Sequence, residues 1–443
     1  MEPAEIAIIA IVLLAFTAVS RRLDASPITM PMVFVAAGAL LSASGIVGVA
    51  PELDAIALLA ELTLAVILFS DATRLSLPRL GQSLELPARL LGIGLPLTVL
   101  LGMGLNLVIF PGWPVAQALL LAAILAPTDA ALGSAVVSNP DVPARDRLAL
   151  NVESGLNDGL VVPVVAVATS IVVDMQQSSG SWVGFVTQQI GIGTAIGLVL
   201  GLLGITVLRT TRHAGWSDGR YEQIATFGLP IMAFTLATAW SGNGFIAAFV
   251  AGLAFGSGGF ARNRTNDDME GPEDAEHLAE FTEDAAELLG AVTFFVFGNL
   301  FVGDALGDFG PSVFLAAIAS LTVVRIVPVF IALFRSGCDP MAKLFIGWFG
   351  PRGLASIVFA ILLLEELEER SEQADQLVGV ISLTVTFSVV LHGATAALGA
   401  RRYAAHASRA RAAAVNGEAD AAMDAEMEAM LPRTRWSLGR RQA

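Results

Sequence analysis

Long apolar runs alternate with short polar segments along almost the whole chain. Thirteen of these runs are each long enough to cross a hydrocarbon core of about 30 Å as an α-helix. The pattern therefore predicts an all-α polytopic membrane protein. The predicted spans cover residues 5–20, 28–48, 54–73, 85–110, 113–138, 146–172, 182–208, 221–240, 243–260, 286–303, 311–335, 341–364 and 376–400.

Basic residues are concentrated in every second loop. Arg21 and Arg22 follow the first span, Arg145 and Arg147 follow the fifth, and Arg335 follows the eleventh, whereas the intervening loops hold almost none. Short cytoplasmic loops carry an excess of Arg and Lys. This alternation predicts a multi-pass protein of the cell membrane with its N-terminus outside and its C-terminus in the cytoplasm.

The composition is typical of a protein embedded in a lipid bilayer. The chain has 443 residues, of which 55% are hydrophobic and 15% charged, against about 25% charged in soluble domains. The net charge of −15 argues against a nucleic-acid partner, which would require a basic face. The single cysteine, Cys338, excludes a disulfide framework within the chain.

Two spans contain residues that should interrupt a helix. Span 5 has Pro127 in its middle, followed by Thr128 and Asp129, and span 12 contains Gly-Pro-Arg-Gly at 350–353. Proline removes a helical hydrogen bond, and unwound backbone at membrane depth is tolerated only inside protein or beside a cavity. We expect Asp129 to offset helix N-terminal dipoles and Arg352 to offset carbonyl ends.

The two broken spans lie an odd number of spans apart, so they run in opposite directions. They occupy corresponding places in two halves, 1–172 and 221–403. Transporters built from inverted repeats have this arrangement, with the substrate site at the midplane. The pattern predicts a transmembrane domain over 1–403, an acidic cytoplasmic loop at 261–285 and a cytoplasmic tail at 404–443.

Span 6 carries an unusual number of polar side chains. Glu153 and Asn157 are one helical turn apart, as are Ser154 and Asp158, so one broad face of the helix is polar. Carboxylate, hydroxyl and amide oxygens suit a hard cation such as Na⁺. We expect Asp158 to carry either a proton or a cation, with Thr128 and Asp129 facing the same cavity.

Other charged residues within spans are assigned supporting roles. We expect Glu153 to form a structural ion pair with Arg325, which lies inside the apolar run of span 11. Asp71 either lines the entrance to the site or pairs with Arg74 at the interface. His392 is expected to make a satisfied polar contact, and its titration leaves a sensor role open.

Together these motifs resemble the NhaP-like sodium/proton antiporters, a monovalent cation:proton antiporter family related to the sodium/hydrogen exchangers. The resemblance rests on Thr-Asp after a mid-span proline, Glu-Ser-Gly-Leu-Asn-Asp-Gly, the in-span Arg325 and Gly-Pro-Arg-Gly, and it covers roughly residues 5–400. It implies a homodimer in which a six-helix core domain moves like an elevator against a dimerisation domain.

The resemblance also assigns roles to individual residues. Asp158 matches the ion-binding aspartate, and Asn157 matches the asparagine that marks electroneutral members. Thr128 and Ser154 look like additional Na⁺ ligands beside Asp158. The chain departs from archaeal relatives at Ser70–Asp71, where these often have a glutamate.

The leading hypothesis is electroneutral exchange of Na⁺ for H⁺ by alternating access, with both ions competing for Asp158 and with Li⁺ and K⁺ as open alternatives. The expected partners are monovalent cations, protons and the lipid bilayer, and no cofactor is expected. A K⁺/H⁺ antiporter or an organic-anion carrier is the alternative within transporters. An intramembrane enzyme using Asp129 and Asp158 belongs to a different class, and no nucleophile–base pair in the sequence supports it.

Overall fold

The computed structural model describes residues 3–23, 28–45, 53–73, 85–137, 139–177, 182–261, 273–305, 310–366 and 372–413, and these residues form helices without a strand. In chain order the helices are α1 Pro3–Leu23, α2 Met30–Ser44, α3 Leu53–Thr73, α4 Glu85–Ile109, α5 Val115–Ile124, α6 Ala130–Val137, α7 Ala144–Gln177, α8 Trp182–His213, α9 Gly219–Ala239, α10 Gly244–Ala261, α11 Glu273–Leu300, α12 Val302–Ala305, α13 Pro311–Leu321, α14 Val323–Ala332, α15 Pro340–Trp348, α16 Leu354–Glu366 and α17 Glu372–Ala413.

Several helices are suited to a bilayer by length and composition. Six stretches of the described residues are long and apolar enough to cross a membrane, and shorter apolar helices lie among them. Helices α3 and α17 lie mostly inside the bundle, whereas α4 and α8 expose most of their apolar surface. The six stretches are Asp54–Thr73, Glu85–Ile109, Ala144–Val172, Thr187–His213, Pro311–Ala332 and Asp375–Arg409.

The largest apolar cluster of the interior joins helices from both halves of the chain. Leu64 and Leu68 of α3 and Leu121 of α5 are fully buried, and they belong to the same cluster as Phe295 of α11 and Ile381 of α17. Because this core surrounds α5 and α7, the polar residues of those two helices lie at the centre of the bundle.

Glycines allow close approach of α8 and α10. Along α8, Gly193, Gly197 and Gly201 recur every fourth residue, and a Cβ at any of them would collide with a backbone carbonyl of α10 or of Asn243 just before it. Without Cβ atoms, the two backbones come close enough for this contact. The residues Gly193, Gly197 and Gly201 are called the glycine seam below.

Two helix boundaries differ from the sequence-based ones. Helix α11 begins at Glu273, so the second half of the predicted 261–285 loop is helical; Leu278, Thr282 and Ala286 are buried at four-residue spacing, which continues the apolar stripe of the span. Residues 262–272 and 414–443, which include the rest of that loop and most of the predicted tail, lie outside the described residues.

Predicted span 11 is interrupted rather than continuous. Helix α13 ends at Leu321 and α14 begins at Val323, with Thr322 between them in a non-helical conformation. The Thr322 hydroxyl donates to the carbonyl of Ile318 at 2.6 Å. Such back-bonding competes with the helical ladder and bends helices, and the interruption lies one turn before Arg325.

Candidate functional site

The first helix break separates α5 from α6. Helix α5 ends at Ile124 and α6 begins at Ala130, so residues 125–129 are unwound around Pro127. The last turn of α5 and the unwound residues beyond it therefore hold carbonyl groups without helical partners. Thr128 and Asp129 follow the proline directly, and both side chains are buried.

The second break separates α15 from α16. Helix α15 ends at Trp348 and α16 begins at Leu354, which leaves residues 349–353 unwound around Pro351. The two breaks cross each other, since the backbone N–H of Asp129 donates to the carbonyl of Pro351 at 2.8 Å.

Asp129 supplies the negative side chain at the crossing. Its Oδ1 accepts from the backbone N–H of Leu132 at 3.2 Å, and its Oδ2 accepts from the N–H of Leu354 at 2.7 Å. One carboxylate therefore caps the N-terminal ends of both α6 and α16, where helix dipoles favour negative charge.

Arg352 supplies the positive side chain. Its Nη1 donates to the carbonyls of Ala126 at 2.9 Å and Pro127 at 3.1 Å, and the side chain is fully buried. Ser356, one turn later on α16, donates its hydroxyl to the carbonyl of Ile124 at 2.7 Å. Arg352 and Ser356 together supply hydrogen-bond donors to three carbonyls at the end of α5. The negative end of a helix requires such donors because its last carbonyls have no helical partners.

Helix α7 brings its polar face to the first break. Ser154 donates its hydroxyl to the carbonyl of Thr128, and the Asn157 Nδ2 donates to the Thr128 Oγ1 at 2.7 Å. The Thr128 and Ser154 hydroxyl oxygens lie 3.4 Å apart. The structure thus joins Thr128, Ser154 and Asn157 in one cluster of oxygen-bearing side chains.

Asp158 lies one turn beyond Ser154 on the same face of α7. Its side chain is 8% exposed, and its Oδ1 is buried without a hydrogen-bond partner among the described residues. The Oδ1 of Asn157 is likewise buried without a hydrogen-bond partner among the described residues. Since buried polar oxygens normally have a partner, these two atoms mark a place where a ligand can be accommodated.

Asp71 of α3 lies against α7. A Cβ built at Gly155 would be 3.6 Å from the Cβ of Asp71, an ordinary van der Waals contact, so the two helices pack directly against each other here. Asp71 and Asp129 are both close enough to Asp158 for their negative charges to act on it. The alternative partner Arg74 lies outside the described residues.

Glu153 and Arg325 are in direct contact. The guanidinium of Arg325 donates through Nη1 and Nη2 to the two carboxylate oxygens of Glu153 at 2.5 and 2.8 Å, and both side chains are at most 3% exposed. A Cβ at Gly350 would collide with the guanidinium. The pair therefore joins α7 to α14 directly beside the second break.

A cavity lies between the two breaks and the helices α6 and α7. Its walls include two residues that the sequence did not single out as site residues, Asn151 on α7 and Phe349 at the second break. Asn151 precedes Ser154 by three residues and so shares its helix face. The lining residues are Thr128, Asp129, Gly133, Val136, Val137, Leu150, Asn151, Ser154, Phe349 and Pro351.

Around the crossing the structure brings together Thr128, Asp129, Ser154, Asn157 and Arg352, with the Glu153–Arg325 pair beside it. Asp158 lies one turn beyond Ser154 and Asp71 lies against α7 at Gly155, and neither lines the cavity.

Sequence reasoning missed Ser356 and Ser388, whose hydroxyls bind backbone groups of the first and second break respectively. Ser356 could have been predicted from the sequence, because it lies one helical turn after Arg352. His392 makes the polar contacts expected of it, to Ser388 and to the carbonyl of Trp348.

Comparison with known proteins identifies the family of the chain. The family described as sodium/hydrogen exchanger, transmembrane, matches residues 7–399. The chain is 26% identical over 367 residues to the Na⁺/H⁺ antiporter ApNhaP of Aphanothece halophytica, covering 81% of this chain and 67% of that protein. It is 25% identical over 368 residues to the K⁺/H⁺ antiporter NhaP of Alkalimonas amylolytica, covering 82% of this chain and 61% of that protein.

A solved structure shares the fold. The sodium proton antiporter MjNhaP1 from Methanocaldococcus jannaschii superposes with a TM-score of 0.71 at 20% identity, covering 90% of this chain and 99% of that one. All three proteins are named as transporters, which leaves the intramembrane-enzyme alternative without support. Because the family match spans most of the sequence, the chain belongs to the sodium/hydrogen exchanger family and is an NhaP-like member of it.

Proposed function

We propose that the chain is a secondary active antiporter that exchanges Na⁺ for H⁺ across the cell membrane. The observation that carries this proposal is the buried Asp158 Oδ1, which has no hydrogen-bond partner within the described part of the chain and lies beside the Thr128–Ser154–Asn157 cluster. A buried carboxylate is costly when charged and empty, so it retains either a proton or a cation.

The cation site draws its oxygens from two elements. Asp158 and Ser154 of α7 and Thr128 of the first break supply a carboxylate and two hydroxyl oxygens for Na⁺. Asn157 holds Thr128 in place through its amide nitrogen and leaves its own oxygen available. Protonation of Asp158 removes its negative charge and releases the cation, which makes H⁺ and Na⁺ competitors for one group.

Exchange at Asp158 alone favours an electroneutral cycle. Both oxygens of Asp129 accept backbone N–H groups, and both oxygens of Glu153 accept from Arg325, so these acids are committed to structure. Asn157 contributes no charge. One Na⁺ replaced by one H⁺ at Asp158 would move no net charge per cycle.

The same proposal includes the membrane architecture. We infer thirteen spans in two inverted halves, 1–172 and 221–403, with the broken helices α5–α6 and α15–α16 in corresponding places. The N-terminus would be outside and the C-terminus in the cytoplasm, and the unit would be a homodimer working by an elevator motion. The helix positions, the loop arginines and the similarity to MjNhaP1 support this arrangement.

K⁺ is a second candidate substrate. The relative from Alkalimonas amylolytica is named a K⁺/H⁺ antiporter at an identity like that of the Na⁺/H⁺ relative. The ligand types around Asp158 are the same for both cations, so the choice requires measurement.

The deciding experiment is reconstitution in liposomes with an imposed pH gradient. Na⁺, Li⁺ and K⁺ are each added outside, and proton efflux or influx is followed with a pH-sensitive dye. The parent protein should dissipate the gradient with at least one cation, and Asp158→Asn should abolish this response. The rate at a fixed pH gradient should not change with an imposed membrane potential.

A matched control is available on the same helix. Asp146 of α7 is also buried, but it accepts a hydrogen bond from the Tyr403 hydroxyl at 2.5 Å and lies outside the site. Asp146→Asn should retain transport. Normal transport by Asp158→Asn would refute the assignment of the carrier, and a rate that depends on membrane potential would refute electroneutrality.

A further inference from the structure

Two side chains of α17 face the second break. The Ser388 Oγ accepts from the backbone N–H of Arg352 at 2.7 Å. The His392 Nε2 lies 2.8 Å from the carbonyl oxygen of Trp348, which also accepts from the Gly350 N–H at 2.9 Å, and the His392 Nδ1 lies 3.0 Å from the carbonyl oxygen of Ser388. A neutral imidazole donates from one nitrogen only, and we assign the proton to Nε2 because its contact is the shorter one. Ser388 is fully buried and His392 is 1% exposed.

The two backbone groups are the pair that an unbroken helix would join. A helical N–H donates to the carbonyl four residues earlier, and Arg352 follows Trp348 by four positions. Ser388 and His392 are also four positions apart, so they face the same way from α17. The His392 Nδ1 lies 3.3 Å from the Ser388 Oγ, which links the two side chains.

Trp348 is held by α17 through its side chain as well. Its indole Nε1 donates to the Thr395 Oγ1 at 3.0 Å, and its ring lies 5.2 Å from the imidazole of His392. The next residue, Phe349, packs so closely on Gly399 that a Cβ there would meet its ring. The end of α15 is therefore fixed on α17 at several points.

The position of Arg352 affects both breaks. Ser388 anchors its backbone at the second break, while its guanidinium reaches the carbonyls of Ala126 and Pro127 at the first. Thr128, which supplies a ligand in the proposed function, is the residue directly after Pro127. A shift in Arg352 would therefore move Thr128 relative to Asp158.

We propose that Ser388 and His392 replace the missing helical hydrogen bond of the second break and act as positioning residues for the cation site. They hold the Trp348 carbonyl and the Arg352 N–H apart at a fixed separation, so that the break neither closes nor collapses. The transport consequence rests on the proposed antiport function, but the hydrogen-bond replacement does not.

Hydrogen exchange tests the replacement without any transport. Ser388→Ala should raise exchange of the Arg352 amide about tenfold in a peptide covering 346–356, because the lost bond is worth roughly 1.4 kcal/mol. Ser382→Ala is the matched control, since the Ser382 hydroxyl on the same helix donates only to the carbonyl of Val378 at 2.8 Å. Equal exchange in Ser388→Ala and the control would overturn the proposal.

Transport distinguishes positioning from titration. His392→Leu should raise the apparent KM for Na⁺ about tenfold, whereas His392→Gln, whose amide nitrogen can donate to Trp348, should stay within about twofold of the parent. The pH profile of His392→Gln should match the parent. A glutamine variant as impaired as the leucine variant, or one with a shifted pH profile, would overturn the positioning role. If the parent transports no cation, the proposed function fails while the exchange result still decides the hydrogen-bond replacement.

Discussion

The two helix breaks look alike in sequence but are held in different ways. At the first break, the carbonyls of Ile124, Ala126 and Pro127 depend on side chains that come from the second break or directly after it. The second break receives Asp129 in return, and it is also bound to α17 through Ser388 and His392. The first break is also held at Thr128 by Ser154 and Asn157 of α7. Its carbonyls at Ile124, Ala126 and Pro127, however, depend on the second break, whose own additional contacts are with α17.

Because of this asymmetry, we expect substitution of Arg352 to cause the largest loss of stability and transport. In Arg352→Met, two buried carbonyls of the first break lose their donor, and we expect a loss of stability of about 3–5 kcal/mol together with loss of transport. Thermal unfolding and hydrogen exchange of a peptide covering 119–128 measure the two consequences. Hydrogen exchange should rise more in the 119–128 peptide than in a peptide covering 354–360.

The control for Arg352 is an arginine on the surface. Arg402 of α17 is exposed, so Arg402→Met should leave the unfolding temperature nearly unchanged. Arg352→Lys keeps the charge but has a single nitrogen, and it should fall between the parent and the methionine variant. Equal exchange at both breaks in Arg352→Met would contradict the one-sided dependence.

We expect a smaller loss of stability from substitution of Gly353. A Cβ at this position would collide with the carboxylate of Asp129. Because Asp129 caps both α6 and α16, Gly353→Ala should disturb both breaks equally and destabilise the protein by about 1–3 kcal/mol. Gly104→Ala serves as the comparison, since a Cβ at Gly104 meets nothing within 4 Å and alanine favours helix.

Thermal unfolding and hydrogen exchange again provide the measurement. If hydrogen exchange in Gly353→Ala rises at one break and stays at the parent level at the other, Asp129 is not a shared cap. If Gly104→Ala destabilises the protein equally, the effect arises from adding a methyl group at any glycine rather than from the crossing.

The smallest effect is expected at the outer end of α15. The Asp339 carboxylate caps this helix through the Ala342 N–H and also contacts the His406 Nε2 at 2.6 Å, but both side chains of this pair are more than 40% exposed. Partial burial favours the neutral form of Asp339, yet the bonds from Ala342 and His406 outweigh it, so its pKa lies below the ordinary value. Solvent screening keeps the contribution of such a pair small.

The sign of the pH dependence follows from the lowered pKa. The stability from Asp339 is present above its unfolded pKa of about 3.9 and is lost as pH falls through the lower folded value. Asp339→Asn should therefore lower the unfolding temperature by no more than about 2 °C at pH 7, and the difference should vanish in acid. A loss as large as that of Gly353→Ala would show that the outer end of α15 controls the second break.

Local chemistry in the sequence is sufficient to place both breaks and their charges. Pro127 and Pro351 indicate where the helices unwind, and Asp129 and Arg352 have the charges that the exposed helix ends require. The contact between Glu153 and Arg325 also follows from the cost of burying either charge alone. These inferences need only the sequence neighbourhood and the membrane context.

The remaining parts of the site depend on how the helices cross. Ser356 binds a carbonyl 232 positions earlier, and Ser388 binds a backbone N–H on another helix, so neither contact has a signature in the surrounding sequence. Asp71 lies against Gly155 because α3 and α7 meet there. Tertiary geometry, rather than residue type, selects these positions.

The glycine seam between α8 and α10 has a consequence for inherited variation. Every amino acid that a single base change can introduce at a glycine codon carries a Cβ. At Gly193, Gly197 and Gly201, that atom would meet a backbone carbonyl, which cannot move aside as a flexible side chain can. We therefore expect missense alleles at these three codons to be purged, although none of these residues touches an ion.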